Sequence, residues 1–240
     1  MTKHTISLKN QSTEISNGYL LRILNCDFPD NLYYDVENDV WLDKINESQG
    51  LMGVSTVLSF LAGKILKVKL KSDLKTVKAG QSLGTIESAT YFGAIRSPIS
   101  GEIAKLNLSL QEDPKALNES RFEAGWIAEY ASFENDSLSR LHFGEHAKEK
   151  LEARIKELKV KCFKLLPDEQ VYSIGTECST TLASIDELYA TRPIGTVLHL
   201  VTDDQTADVE LVRWTMRTEN QLVEARKEEN LYHFIIRKSK

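Results

Sequence analysis

The sequence predicts a multidomain protein, with a mainly β first part followed by a two-layer α/β sandwich of order β-α-β-α-β-β. Three observations lead there. From Tyr33 to Tyr130, short runs alternate apolar and polar residues between Gly- and Pro-bearing breaks, the pattern of half-buried strands. From Ser137 to Val160 the chain turns charged and rich in helix formers. Beyond Val160, strand-like and helix-like segments alternate, as a layered α/β domain requires.

Each element has its own local reason. "YLLRILNC" suits a short helix or a strand, and belongs to an N-terminal extension, 1–32, whose first 18 residues are polar and expected to fray. "DVWLDK", "KILKVKL", "QSLGTIES", "ISGEIAKLNLSL" and "GWIAEY" are the strands of an antiparallel β domain, 33–136. "STVLSFLAG" is a short helix stopped by Gly63. "EHAKEKLEARIKEL" carries Glu145–Lys148 and Glu152–Lys156 at helical spacing and a thin apolar stripe. It is expected as a surface or bridging helix in a linker, 137–160.

In the last part, 161–240, "QVYSIG" and "GTVLHLVTDD" are strands, and "STTLASIDELYATRP" and "TADVELVRWTMRTE" are helices. The first helix places Leu182, Ile185, Leu188 and Tyr189 on one face. "QLVEARKEENLYHFIIRK" closes as a hairpin around "EEN".

Composition narrows the function classes. The chain has 240 residues, 41% hydrophobic and 27% charged, which is ordinary for soluble domains. A net charge of −5 argues against a general nucleic-acid or anionic-membrane binder. No run approaches the ~20 apolar residues of a membrane span. The start lacks the apolar core of a secretory signal. Cys26, Cys162 and Cys178 make an odd count without metal spacing, so a reducing cytoplasm is expected, with Cys26 and Cys162 as bland or structural residues.

"GTIESATYFGAIRSPISGEI" reads as a hairpin whose arms, "LGTIES" and "AIRSPISGEI", flank a turn bearing Thr90, Tyr91 and Gly93. Residues 51 to 130 around it resemble the H protein of the glycine cleavage system, a lipoyl-domain hammerhead fold. Glu87, Ser88, Ser97, Pro98, Gly101, Asn118, Gly125 and Trp126 fall on the family pattern without a gap. In that family a lysine two residues beyond the serine carries lipoate, and here the position is Thr90. A threonine hydroxyl cannot form the stable amide that an amine forms, and Lys78 and Lys105 lie off the turn. The resemblance therefore implies family geometry without lipoate. Two readings of the tip stand: a vestigial scaffold face, or a contact surface made by Tyr91 and Phe92.

Residues 168 to 240 are similar to the TusA-type sulfur carriers. The likeness rests on "IGTEC" at a strand-to-helix junction, "RPIGTVLHLVTDD", a tryptophan on the second helix and a closing "FIIRK". The family's cysteine-proline-x-proline is "CSTT" here, so Ser179 and Thr181 replace both prolines. The resemblance implies that Cys178 accepts a persulfide sulfur. A thiol at a helix start faces free N–H groups and the positive end of the dipole, which lowers its pKa. Ser179 and Thr180 are expected as cap or first-turn residues. The bland alternative is that Cys178 is an inert packing residue.

"HFGEH", from His142 to His146, fits an inverted zinc-protease pattern, but Gly144 breaks the helix start, so no metal is expected. Asp203, Asp204 and Asp208 are expected to cap the following helix rather than hold a cation. Together the two resemblances imply a cytoplasmic sulfur-trafficking adaptor. Its Cys178 carries sulfur while the β domain docks protein partners of sulfur transfer or lipoate-linked metabolism. The alternative is a non-catalytic scaffold or regulator of a glycine-cleavage-like or sulfur-oxidising complex.

Overall fold

The computed structural model describes residues 19–240, and the polar stretch 1–18 lies outside them. The chain enters as a hairpin of β1 (Leu20–Ile23) and β2 (Cys26–Pro29). Leu24 and Asn25 turn it at φ of 48° and 65°, the left-handed pair that matches strand twist in a two-residue turn. "YLLRILNC" is thus strand and turn.

A meander follows: β3 (Tyr33–Asp35), β4 (Val40–Lys44) and β5 (Gly50–Val54). Helix α1 (Thr56–Ala62) then runs until Gly63, whose φ of 69° takes the chain out of the helix at no Cβ cost. Next come β6 (Ile65–Leu70), β7 (Thr76–Val77), β8 (Ser82–Ser88), β9 (Phe92–Arg96) and β10 (Gly101–Leu106). The short α2 (Ala116–Glu119), β11 (Trp126–Phe133) and β12 (His142–Phe143) complete the β part. Two sheets result, in the orders β12-β3-β4-β5-β11-β10-β7 and β6-β8-β9. All their pairings are antiparallel, and Val40, Met52, Val68, Leu83, Ile95 and Ile127 are among the side chains buried between them.

The arm "AIRSPISGEI" is not one strand. β9 pairs with β8 in the small sheet, whereas β10 pairs with β11 and β7 in the large one. The crossing falls at Ser97-Pro98, where proline offers no N–H to a ladder. The buried Ser97 Oγ donates to Ile99 O at 2.6 Å and lies 2.6 Å from the Tyr130 hydroxyl, which fixes the crossing.

A second apolar cluster corrects the reading of the flanks. Helix α3 (Lys148–Glu157), expected as a surface or bridging helix within the linker 137–160, is 10 residues long. Its Leu151 and Ile155 pack with Ile23, Phe28, Trp41 and Val57, so helix and N-terminal hairpin share one core. Arg154 on its polar side binds Asp39 through two hydrogen bonds, of 3.1 and 2.8 Å. Cys26 and Cys162 lie in the same cluster and are joined as a disulfide, a structural role for both. The cysteine count therefore no longer argues for a reducing compartment.

The last part has β13 (Glu169–Ser173), α4 (Cys178–Thr191), β14 (Val197–Thr202), α5 (Ala207–Thr218), β15 (Gln221–Glu228) and β16 (Leu231–Arg237). The sheet order is β13-β14-β16-β15, with β13 and β14 parallel. Both helices cover one face, where Ile185, Tyr189, Leu211 and Trp214 meet Leu198, Leu200, Phe234 and Ile236. The other face is covered by Phe163, which packs with Val197, Ile235 and Phe60 of α1. No helix among the described residues is long and apolar enough to cross a membrane.

Candidate functional site

The hairpin of β8 and β9 carries the first candidate. Glu87 faces Phe92 across the ladder, and the Ser88 N–H donates to Tyr91 O at 2.8 Å. Ser88 organises the turn. Its Oγ donates to Ala62 O at 2.6 Å and accepts the N–H groups of Thr90 and Tyr91 at 3.2 and 3.0 Å. One hydroxyl therefore ties the tip to the end of α1 and satisfies two turn donors.

Asn118 on α2 secures that same helix end from the other side. Its Nδ2 donates to Gly63 O at 3.0 Å and to Ser59 Oγ at 3.1 Å, while its Oδ1 accepts the Ile65 N–H at 2.9 Å. Ser88 and Asn118 thus build the platform beneath the tip. The sequence pattern marked both positions but could not show that they grip one helix terminus.

The tip side chains diverge. Thr90 is exposed, and Phe92 is 72% exposed. Tyr91 is half-buried against the first core and lies over Gly93, where a Cβ would clash with its ring. Burial pushes the Tyr91 phenol up from its ordinary pKa. Of the two aromatics expected as a contact surface, one packs underneath and one projects.

Cys178 is the second candidate and the free cysteine among the described residues. It opens α4, as expected, with Glu177 at the cap position and Ser179 and Thr180 in the first turn. Thr181 is buried and lies within hydrogen-bond reach of Ser173. Because β13 and β14 run parallel, their following loops share one edge, and this decides the electrostatics. Asp203 Oδ1 accepts the Gly175 N–H at 2.8 Å, and Asp204 Oδ2 accepts the Cys178 N–H at 2.8 Å. These aspartates were expected to cap the following helix. Asp204 does meet the Thr206 N–H at 2.8 Å through its other oxygen, but both acids also serve the junction ahead of α4.

The consequence reverses the expected pKa shift. One backbone donor at the start of α4, the Cys178 N–H, is already taken by a carboxylate. Burial, followed by the charges of Asp204 and Glu210, raises the Cys178 pKa above its ordinary value. The thiol is 9% exposed and lines an open cleft with Asp186, Glu210 and Arg217.

His142 lies in β12 and His146 in the turn before α3, so the histidine pattern is split between elements. No group of three or more His, Cys, Asp or Glu among the described residues is arranged to hold a metal ion.

Residues 32–154 match the family described as "Glycine cleavage H-protein". The probable glycine cleavage system H protein 2 of Sulfolobus acidocaldarius is 32% identical over 143 residues, 59% of this chain and 96% of that protein. The glycine cleavage system H protein 2 of Aquifex aeolicus is 37% identical over 140 residues, 57% of this chain and 86% of that one. The crystal structure of the Mycobacterium marinum H protein is 20% identical with a TM-score of 0.43, covering 55% of this chain and all of that one. The family match takes in the meander, the platform and the tip and ends inside α3, so the chain belongs to the glycine cleavage H-protein family.

Proposed function

We propose that this chain is a docking adaptor of the H-protein family that carries no lipoate. The observation behind this reading is the tip itself: Ser88 holds the hairpin rigid, yet the exposed residue it presents is Thr90. Lipoate attachment needs an amine, and the tip offers a hydroxyl and a phenol, so its residues do not fit the group. What remains is a rigid turn with an exposed Phe92, suited to contact with a protein partner. The partners are enzymes of a glycine-cleavage-like or sulfur-oxidising complex. Incubation with a lipoate ligase and lipoate should leave the intact mass unchanged, and a gain of one lipoyl group would refute the reading.

A second reading, sulfur carriage by a TusA-like C-terminal domain, is favoured by the position of Cys178 at the first residue of α4 beside an open cleft. Burial, and after it the neighbouring carboxylates, raise its pKa, so slow sulfur acceptance near neutral pH is the expected outcome. A persulfide donor should add one sulfur atom to the wild type and none to Cys178→Ala. An unchanged wild-type mass leaves the docking adaptor alone.

A further inference from the structure

A cleft of about 880 Å³ lies between the β part and the C-terminal sheet, and neither the tip residues Thr90, Tyr91 and Phe92 nor Cys178 line it. Its lining is unusual for an acidic chain. Five basic side chains, Lys64, Lys115, Arg121, Lys164 and Arg237, face two carboxylates, Asp27 and Glu119. Asp27 is already held by Arg22 through bonds of 2.8 and 3.1 Å. Lys64 is paired with Asp168 across the two parts. Glu119 is then the one carboxylate left in the lining to face Lys115, Arg121, Lys164 and Arg237, so the cleft keeps an excess of positive charge.

Arg121 stands out among these residues. Its Nη2 donates to Asn118 O at 2.6 Å, and its guanidinium lies 5.6 Å from the Phe60 ring centroid and 5.9 Å from that of Phe122. Its Nε is buried and finds no hydrogen-bond partner among the described residues. A fixed, dehydrated and under-paired guanidinium costs stability unless an anion completes it. Burial lowers its pKa, as expected of a cation withdrawn from water.

Beside Asn25, Thr56 and Asn118, the rest of the lining includes Phe60 and Leu66 from the β part and Phe163, Leu165 and Val197 from the chain beyond it. Leu66 is 64% exposed, so the cleft leaves apolar surface in contact with water. An apolar slot ending in a few basic groups is the usual construction of a small-molecule site. We propose that this cleft binds a small carboxylate with an apolar tail, its carboxylate on Arg121 and its tail laid along Phe60, Leu66 and Phe163. The ligand would touch both parts and stabilise their contact.

The test uses the full chain, with octanoate as probe and saturation-transfer and heteronuclear NMR as readouts. Octanoate should bind saturably and shift signals of Phe60, Phe163 and Val197. Butyrate should bind about tenfold weaker or worse for its lost methylenes, and octanol about tenfold weaker for its lost charge. Arg121→Gln should weaken octanoate about tenfold or more, as loss of a charge-assisted bond requires. If that variant does not fold, Arg237→Gln on the opposite wall should still weaken octanoate and leave octanol unchanged. Three results would each overturn the proposal: no saturable octanoate binding, equal binding of octanol, or inorganic phosphate binding as tightly as octanoate.

Discussion

The hairpin tip and the start of α4 set out the same problem and solve it oppositely. Each is a turn that exposes backbone N–H groups beside a residue of interest. At the hairpin those donors go to the Ser88 hydroxyl, a neutral acceptor that is itself anchored to Ala62. At α4 the donors go to Asp203 and Asp204, which bring negative charge. The first arrangement fixes a position without adding charge, and the second adds to burial in raising the pKa of the thiol beside it. Which acceptor a turn recruits thus matters as much as where the turn sits.

Breaking the platform should have the largest effect. Asn118→Ala removes bonds to Ser59, Gly63 and Ile65 in a buried setting and leaves the Ile65 N–H unpaired. A loss of about 2–4 kcal/mol is expected, read as a lower midpoint in urea with an unchanged m-value. A loss near zero would mean that the end of α1 is held by other contacts.

Next in size is the electrostatic contrast. Asp204→Asn keeps an acceptor near the Cys178 N–H but removes the charge, so the raised Cys178 pKa should fall back. Iodoacetamide labelling near neutral pH should then speed up several-fold. The wild type should label slowly, and its stability should decline as pH rises past the thiol's ordinary value. There the unfolded chain loses its proton before the folded one does. Fast wild-type labelling, indifferent to Asp204, would remove the contrast.

A smaller effect is expected at the covered face of the C-terminal sheet. His199 Nε2 lies 2.9 Å from His233 Nδ1, and both are buried under Phe163. Burial, with His233, Arg226 and Lys161 nearby, holds His199 down to about 4 from an ordinary 6.5. Between these values the unfolded chain binds more protons, so this stability is complete above about pH 6.5 and is lost as pH falls toward about 4. Melting temperatures measured across that window should drop by several degrees. His199→Phe should flatten the slope, and an unchanged slope would assign it to other groups.

Much of this architecture was legible in local pattern. Period-2 runs gave the strands, Gly63 gave the end of α1, and the order of elements after Val160 matched the sheet and helices found. What escaped was set by distance or direction rather than by pattern. Cys26 and Cys162 lie 136 residues apart, and no spacing rule joins them. Leu151 and Ile155 make the same thin stripe on a surface helix as on a docked one, so α3 read as a bridge. Pro98 was visible as a break, but not as a passage between sheets. The second role of Asp203 and Asp204, ahead of α4, escapes a search for caps along the chain, because parallel strands bring the two loops side by side.

The central claim is that the hairpin keeps the geometry for presenting a group while lacking the means to attach one. The most direct measurement is the intact mass of three proteins after incubation with a lipoate ligase and lipoate: wild type, Thr90→Lys, and Thr90→Lys combined with Ser88→Ala. The wild type should stay unmodified and Thr90→Lys should gain one lipoyl group. The double variant should gain it far more slowly, because Ser88 holds the turn. A lipoylated wild type, or a Thr90→Lys protein that stays bare while folding normally, would contradict the account.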